Sequence, residues 1–351
     1  MSVFRTVQND LPESGAQKSS RSVNRFVAVL WIAAIGIALW VAAAYLLPQH
    51  LRVTRPWYGL AVAASFVARV LQFHLAIALA VIACIALFLH RRRPAAFGGM
   101  LSAILLIPTF ESLLPKSPPP PAGPTVRVMT INLLGTNRNA DAILHQIRTA
   151  NPDVIALEEY SPWADELLQR ELAEYPYREL DPEPDSTGIA VYSKLPMSGK
   201  LQSPHNIMGT RVLIRATLQL DGRDVAFYAI HPSSPHRYEN ILRNRLQTAD
   251  LLDEIKHERL PVIVAGDFNA TETTANLSVY ESAGFASTQD LAGIGRGSTW
   301  PDVTFLKYLP RFRIDHILVG PEFTCTNSRV CGPTGSDHRP VVADVGFRNA
   351  G

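Results

Sequence analysis

Acidic residues are nearly missing from the first 124 positions, which hold three (Asp10, Glu13 and Glu111) against 11 Lys/Arg. The remainder reverses the balance, with 28 Asp/Glu against 22 Lys/Arg. The formal net charge of +2 therefore hides two regions suited to different surroundings. Lacking a basic excess, the second region is a poor match for a protein that coats nucleic acid through bulk charge, since such binding rests on neutralising phosphates. A nuclease is not excluded, because bound cations supply local positive charge. Repeats at 20–50-residue periods are absent, which excludes a solenoid. Cysteine is scarce: Cys84, Cys325 and Cys331. The last two bracket CTNSRVC, where a turn at Thr326 to Ser328 would allow a disulfide across a hairpin; two unpaired thiols are the alternative.

Charge is also absent from FVAVLWIAAIGIALWVAAAYLL, residues 26–47. As a helix this run is about 33 Å long, enough to cross a hydrocarbon core. It is long for a cleaved signal peptide, and further apolar runs follow it. VLQFHLAIALAVIACIALFL (70–89) is a second candidate span, and AAFGGMLSAILLIPTFESL (95–113), with Pro108 and Glu111 near its end, a weaker third. Residues 57–68 are apolar but too short to span, and read as interfacial. A helical core in a soluble protein is the competing reading of all these runs.

Orientation follows the Lys/Arg bias. Lys18, Arg21 and Arg25 precede the first span, and Arg91, Arg92 and Arg93 separate the second from the third. Both clusters fall on one side of a three-span chain, so that side is expected to be cytoplasmic. Arg52, Arg55 and Arg69 oppose the bias. Three crossings make residues 1–25 a cytoplasmic tail, 26–114 a multi-pass region in the inner or plasma membrane, and everything after 114 extracytoplasmic; four crossings reverse this. PKSPPPPAGP (115–124) reads as an extended, semi-rigid linker that holds the second region, 125–351, off the bilayer.

From Val126 the pattern changes to short apolar runs separated by turn signals. VRVMTIN, VIALEEY, GIAVYSK, RVLIRATLQL, DVAFYAIH, LPVIVAGDFNA, RIDHILVG and VVADVGF read as strands. Helices are expected at DAILHQIRTA, capped by Asn139, at 237–257 and near 272–284. This mixture predicts an α/β domain with sheet packed on sheet and helices outside.

The informative pattern is where polar residues fall. VMTI ends at Asn132, VIAL at Glu158 and Glu159, FYAI at His231, and VIVAG at Asp267 and Asn269; Asp315 sits in RIDHIL, and GSDHRP places Asp337 beside His338 before a last strand. Each has a bland reading alone: Asp267 and Asn269 as turn formers, His231 as a satisfied histidine, the two glutamates as a solvated edge, Asp315 as a partner of Arg311 or Arg313, Arg243 and Gln247 as surface or capping groups. Six strand ends offering Asn, Glu, His, Asp/Asn, Asp and Asp/His are harder to dismiss together, since sites gather on loops held by a rigid scaffold. Carboxylate and amide oxygens suit a hard cation such as Mg²⁺ shared with a phosphate. Hydrolysing a phosphate ester further needs a positioned base and help for the leaving oxygen. A histidine fixed by a carboxylate meets that need.

These residues are recognisable. TINLLG, PDVIALEE, IHPSSP, GDFNA, RIDHIL and GSDHRP, in that order from about 125 to 349, resemble the endonuclease/exonuclease/phosphatase superfamily, which includes deoxyribonucleases, AP endonucleases, neutral sphingomyelinases and inositol polyphosphate 5-phosphatases. The resemblance implies a four-layered α/β sandwich and a metal-dependent phosphoesterase using Mg²⁺ or Mn²⁺. By it, Glu159 is the principal metal ligand, beside Asn132 and Asp337. His338, oriented by Asp315, activates water or contacts the scissile phosphate. Asp267 and Asn269 orient the nucleophile, and His231 is a general acid or phosphate contact. Where many members have Gln, this chain has Glu158, which strand alternation places on the face opposite Glu159 with a neutral effect. His316, alternating with Asp315, is expected to be structural. Implied partners are a phosphate-ester substrate, either nucleic acid or a phospholipid head group, and a lipid bilayer bound through the N-terminal helices; no obligate protein partner is evident. A membrane tether makes chromosomal repair an unsuitable role. A catalytically silent scaffold is the alternative, with no proposed site position missing to support it.

Overall fold

The computed structural model describes residues 15–47, 56–202 and 213–349. The first 14 residues of the tail, Arg52 and Arg55, and the opening of RVLIRATLQL lie outside them. Four helices come first: α1 (Gly15–Leu46), α2 (Pro56–Val70), α3 (Gln72–Phe88) and α4 (Arg92–Leu113). The elements that follow are β1 (Val126–Asn132), α5 (Ala140–Ala150), β2 (Val154–Glu158), α6 (Pro162–Glu171), β3 (Tyr177–Asp181), β4 (Ile189–Ser193), β5 (Met197–Gln202), β6 (Leu213–Leu220), β7 (Arg223–Ile230), α7 (Tyr238–Ile255), β8 (Val262–Asp267), α8 (Ala275–Ser282), β9 (Ala286–Ser287), α9 (Thr288–Ala292), β10 (Asp315–Val319), β11 (Phe323–Val330) and β12 (Val341–Phe347).

The chain forms two compact units, Met1–Ala42 with Phe73–Leu106, and Ala43–Gln72 with Ile107–Gly351. In the first, Ala34, Val41, Ala76, Leu79 and Leu105 share one apolar cluster, and the Ser102 hydroxyl donates to the Ala76 carbonyl. Among the described residues, two helical stretches are long and apolar enough to cross a membrane, Arg21–Leu46 and Arg92–Leu113. The run at 70–89 differs from a plain span: α2 and α3 are bent by 66°, and only the pair together passes as a third crossing.

The second unit is an α/β sandwich. One mixed sheet runs β11-β12-β1-β2-β4-β3 and the other β5-β6-β7-β8-β10-β9. Val128, Ala156, Val191, Ile214, Phe227, Ile263 and Ile317 meet between the sheets. The outer face of the first sheet buries Met129, Ile131, Ile155 and Leu157 under Ile143, Ile147 and Leu168 of α5 and α6. The outer face of the second buries Tyr228 and Val264 under Ile241, Leu252 and Leu277 of α7 and α8. Four layers result because both sheets are apolar on both faces, so each needs a helical cover.

Two local expectations are corrected. CTNSRVC is not a hairpin: the segment runs through β11, both thiols are free, and Cys325 faces the inter-sheet core while Cys331 faces the α5–α6 side. A register shift between Cys325 and Asn327 inverts the alternation and turns the two sulfurs apart. The proline-rich segment is not a free spacer either. The Ala122 amide donates to the Phe347 carbonyl and the Thr324 hydroxyl donates to the Pro119 carbonyl, pinning it along β12 and β11. Residues 57–68 belong to α2, which packs Ala63 and Phe66 against Ile241 of α7 and turns Trp57, Leu60 and Val67 outward.

Candidate active site

The strand ends converge. β1 and β2 are parallel with Asn132 beside Glu158, β7 and β8 are parallel with Ile230 beside Gly266, and antiparallel β10 sets Asp315 across from Asp267. One end of the sandwich therefore carries Asn132, Glu158, Glu159, His231, Asp267 and Asp315. Gly266 permits the close approach there, since a Cβ would lie 1.9 Å from the Ile230 carbonyl oxygen. Glu159 and Asn269 leave their strands with φ of 53° and 51°, a left-handed conformation that costs energy in non-glycine residues and often marks a site.

His338 Nδ1 lies 2.9 Å from Asp315 Oδ2, and its Nε2 lies 3.8 Å from Asp267 Oδ2. His231 Nε2 approaches the same Asp267 oxygen at 3.5 Å. Asn132 Nδ2 donates to Asp267 Oδ2 at 3.1 Å and to Glu159 Oε1 at 3.4 Å. Asn269 donates twice to Asp267, from its amide at 2.8 Å and from Nδ2 at 3.2 Å, and again to the Pro232 carbonyl. Asp315 thus pairs with a histidine rather than with Arg311 or Arg313, which bind Asp302 and Asp290. Among the described residues, Asp267, Asp315 and His338 form the group whose ligand atoms all lie within 4.8 Å. Glu159 and Asp337 stand outside that group. Glu159 Oε2 accepts from the Gly135 amide, and Asp337 Oδ2 from the Trp300 indole at 3.0 Å.

Electrostatics sharpen the picture. Burial penalises a charged His338, but Asp315 and then Asp267 outweigh it and lift the imidazole to about 10. Burial pushes Asp267 upward, yet the charge of His338 and the hydrogen bond from His231 hold it at about 2. Asp315 is raised by burial, against the pull of His338. The result is an imidazolium bracketed by two carboxylates.

Glu158 corrects the alternation argument. It stands in register with Asn132 and projects to the same face, where its Oε1 accepts from the Thr130 hydroxyl at 2.9 Å. Glu159 reaches that region only because its left-handed turn breaks the alternation. Full burial, followed by the nearby Asp315, raises Glu158 well above the carboxylate range. Burial thus favours its protonated form beneath the site.

His316 donates one hydrogen bond, Nε2 to the Ala270 carbonyl at 2.9 Å, while Nδ1 is bare and the ring packs on Phe268. Other supports had no single-residue signal. Trp300 positions Asp337. Asn244 donates to the Ser233 and Phe268 carbonyls, and Gln247 accepts from the Ser233 amide, so that Gln247 holds the His231 loop rather than decorating a surface. Their spacing on α7, facing the loops, could have flagged Asn244 and Gln247.

Residues 129–338 match the model of the Endonuclease/Exonuclease/phosphatase family. The chain belongs to this family. A search of curated proteins returns no match. Among solved structures, it resembles an endonuclease/exonuclease/phosphatase from Beutenbergia cavernae at 22% identity, with 65% of this chain and 73% of that one covered and a TM-score of 0.51. It also resembles TDP2 from D. rerio, humanized by 14 mutations, at 18% identity, 63% and 98% coverage and a TM-score of 0.54. D. rerio TDP2 complexed with a single-strand DNA product is similar at 17% identity, 63% and 98% coverage and a TM-score of 0.53. At these identities the likeness establishes the shared sandwich fold. The superfamily includes hydrolases of phosphoester bonds, and this member carries a buried Asp-Asp-His cluster at the expected strand ends.

Proposed function

We propose that this chain is a membrane-anchored, divalent-metal-dependent phosphoesterase that hydrolyses a phosphodiester or phosphomonoester by attack of water. The observation that carries the reading is the buried cluster in which Asp315 fixes His338 and His338 faces Asp267. Glu159 Oε1 lies against the Asn132 side-chain amide at the end of the first sheet, the Asn132 oxygen accepts from the Leu134 amide, and Asp337 adjoins His338 in the chain; carboxylate and amide oxygens of this kind suit a hard cation such as Mg²⁺ or Mn²⁺. These three would hold the metal, which supplies charge stabilisation to the phosphoryl oxygens when bound.

The chain's own groups divide the remaining work. Asp315 accepts a hydrogen bond from Nδ1–H and fixes the imidazole, leaving Nε2–H turned toward Asp267 and the reacting phosphate. Of the two roles open to His338, phosphate contact suits its retained proton. Asp267, an ionised carboxylate steadied by Asn132, Asn269 and His231, is placed to take the proton of the attacking water. His231 and Asn269 line the same oxygen and are suited to hold the phosphate or serve the leaving group.

The test is turnover by the full chain, in detergent with Mg²⁺ or Mn²⁺, of a panel holding single- and double-stranded DNA, RNA, sphingomyelin, phosphatidylcholine and inositol phosphates. Hydrolysis of one class, lost with EDTA and restored by metal, is expected. Turnover untouched by EDTA contradicts the metal role, and inertness across the panel favours the scaffold reading.

A further inference from the structure

Among described residues from 125 onward, the exposed large apolar side chains are Tyr177, Ile294, Phe305, Tyr308 and Leu309. Four of these five fall in the short stretch 294–309. Phe305, Tyr308 and Leu309 are 69%, 80% and 52% exposed, at the tip of a loop whose base is tightly held. At the base, the Asp302 amide donates to the Asp337 carbonyl, and Asp302 Oδ1 pairs with Arg311 at 2.9 Å and Arg339 at 3.0 Å. Trp300, which starts the loop, packs its ring 6.5 Å from His338. A fixed base with an apolar tip beside a catalytic cluster is costly in water, and such patches mark binding surfaces.

Three further observations say what covers the tip. First, the loop leads into β10 at Asp315, so it projects from the site end of the sandwich. Second, within this same compact unit, Arg69 of α2 and Ser112 in the last turn of α4 bind loops at that same end. The Arg69 guanidinium and the Arg69 carbonyl bind Thr273, four residues after Asn269, and the Gly295 amide donates to the Ser112 carbonyl of α4. Third, the groove beside the loop is lined by Arg296, Arg311, Arg329 and Arg339; Arg311 and Arg339 share the one carboxylate of Asp302 and Arg296 lies 4.0 Å from Glu272, so the arginines outnumber the carboxylates that face them. Aromatic and aliphatic side chains flanked by cations suit a lipid surface that carries anionic head groups.

We propose that the loop from Asp302 to Arg311 docks into a lipid bilayer and that the site's substrate is a phosphate ester in a lipid head group. Phe305, Tyr308 and Leu309 enter the interface, the arginine groove faces the head groups, and the Asp267–Asp315–His338 cluster opens beside them. The substrate half rests on the phosphoesterase reading above. The docking half does not.

The full chain is reconstituted into vesicles of phosphatidylcholine and phosphatidylglycerol, with an environment-sensitive dye on Tyr308→Cys or, as a control, on Asp224→Cys in the hairpin at the opposite end of the sandwich. Both carry Cys84→Ala; Cys325 and Cys331 are buried. Doxyl-labelled lipid is expected to quench the dye at 308 and spare the one at 224. An unquenched 308, or quenching replaced by cross-linking between two 308 positions, overturns the docking half. Changing Phe305, Tyr308 and Leu309 together to Ser is expected to lower turnover of vesicle-borne phospholipid about 10-fold or more while soluble bis(4-nitrophenyl) phosphate stays within about 2-fold. Equal losses on both substrates, or turnover of nucleic acid with none of lipid, overturn the substrate half. If the wild type cleaves no phosphate ester, the phosphoesterase reading fails while the quenching result still decides the docking.

Discussion

The two faces of strand β10 carry different chemistry one residue apart. Asp315 points between the sheets toward His338 and Asp267, whereas His316 points outward under the helical layer against Phe268. His338 and His316 are both buried. His338 keeps its proton because two carboxylates flank it; His316 loses its own because burial and then Arg313 disfavour the charge, taking it down to about 4. Burial alone therefore does not set a histidine's charge. The charges aimed at its ring do.

That contrast can be broken most visibly at the inner face. His338→Ala and Asp267→Ala should each lower turnover by about 10²–10⁴-fold, the loss expected of a charged phosphate contact and of a positioned base. His316→Phe should leave turnover close to wild type, and steady-state kinetics on a soluble ester compares all three. A large activity loss in His316→Phe at unchanged thermal stability would erase the distinction between the faces.

The outer face should show itself in stability instead. The unfolded chain protonates His316 below pH 6.5, while the folded chain resists down to about 4. Stability from this residue is thus complete above pH 6.5 and lost as pH falls from 6.5 to 4, by roughly 3 kcal/mol over that window. Melting curves of wild type and His316→Phe should converge in that range, with the variant losing less on acidification. Parallel curves would contradict the account.

The smallest effect is expected at Glu158. A carboxyl whose burial favours the protonated form is close in shape and charge to an amide, so Glu158→Gln should keep activity within about threefold. A large gain or loss would mean that Glu158 carries charge into the site.

Much of this was legible in the sequence. Apolar runs ending in Asn132, Glu159, His231 and Asp267 marked both the strands and the end of the sandwich where they meet, because a buried strand tolerates polar side chains only where it leaves the core. The cap at Asn139 was equally plain, its side chain accepting from the Ala142 amide. What stayed hidden depended on backbone details without a compositional signature. The left-handed turn at Glu159 moved both glutamates to one region, and the bulge after Cys325 separated two thiols that even spacing would have aligned. The held course of residues 119–122 was hidden because proline runs dictate extension but not what lies beside it. Trp300 was invisible as a site support because it acts through a partner far away in the chain, and Gln247, though visible on its helix, read as a surface or capping group.

The central claim is that one buried Asp-Asp-His cluster performs metal-assisted hydrolysis. Its most direct test is Mg²⁺-dependent turnover of a soluble phosphodiester by the full chain, measured beside folded His338→Ala and Asp267→Ala. The account predicts turnover in wild type, abolished by EDTA and by either substitution. Equal turnover in all three proteins would contradict it.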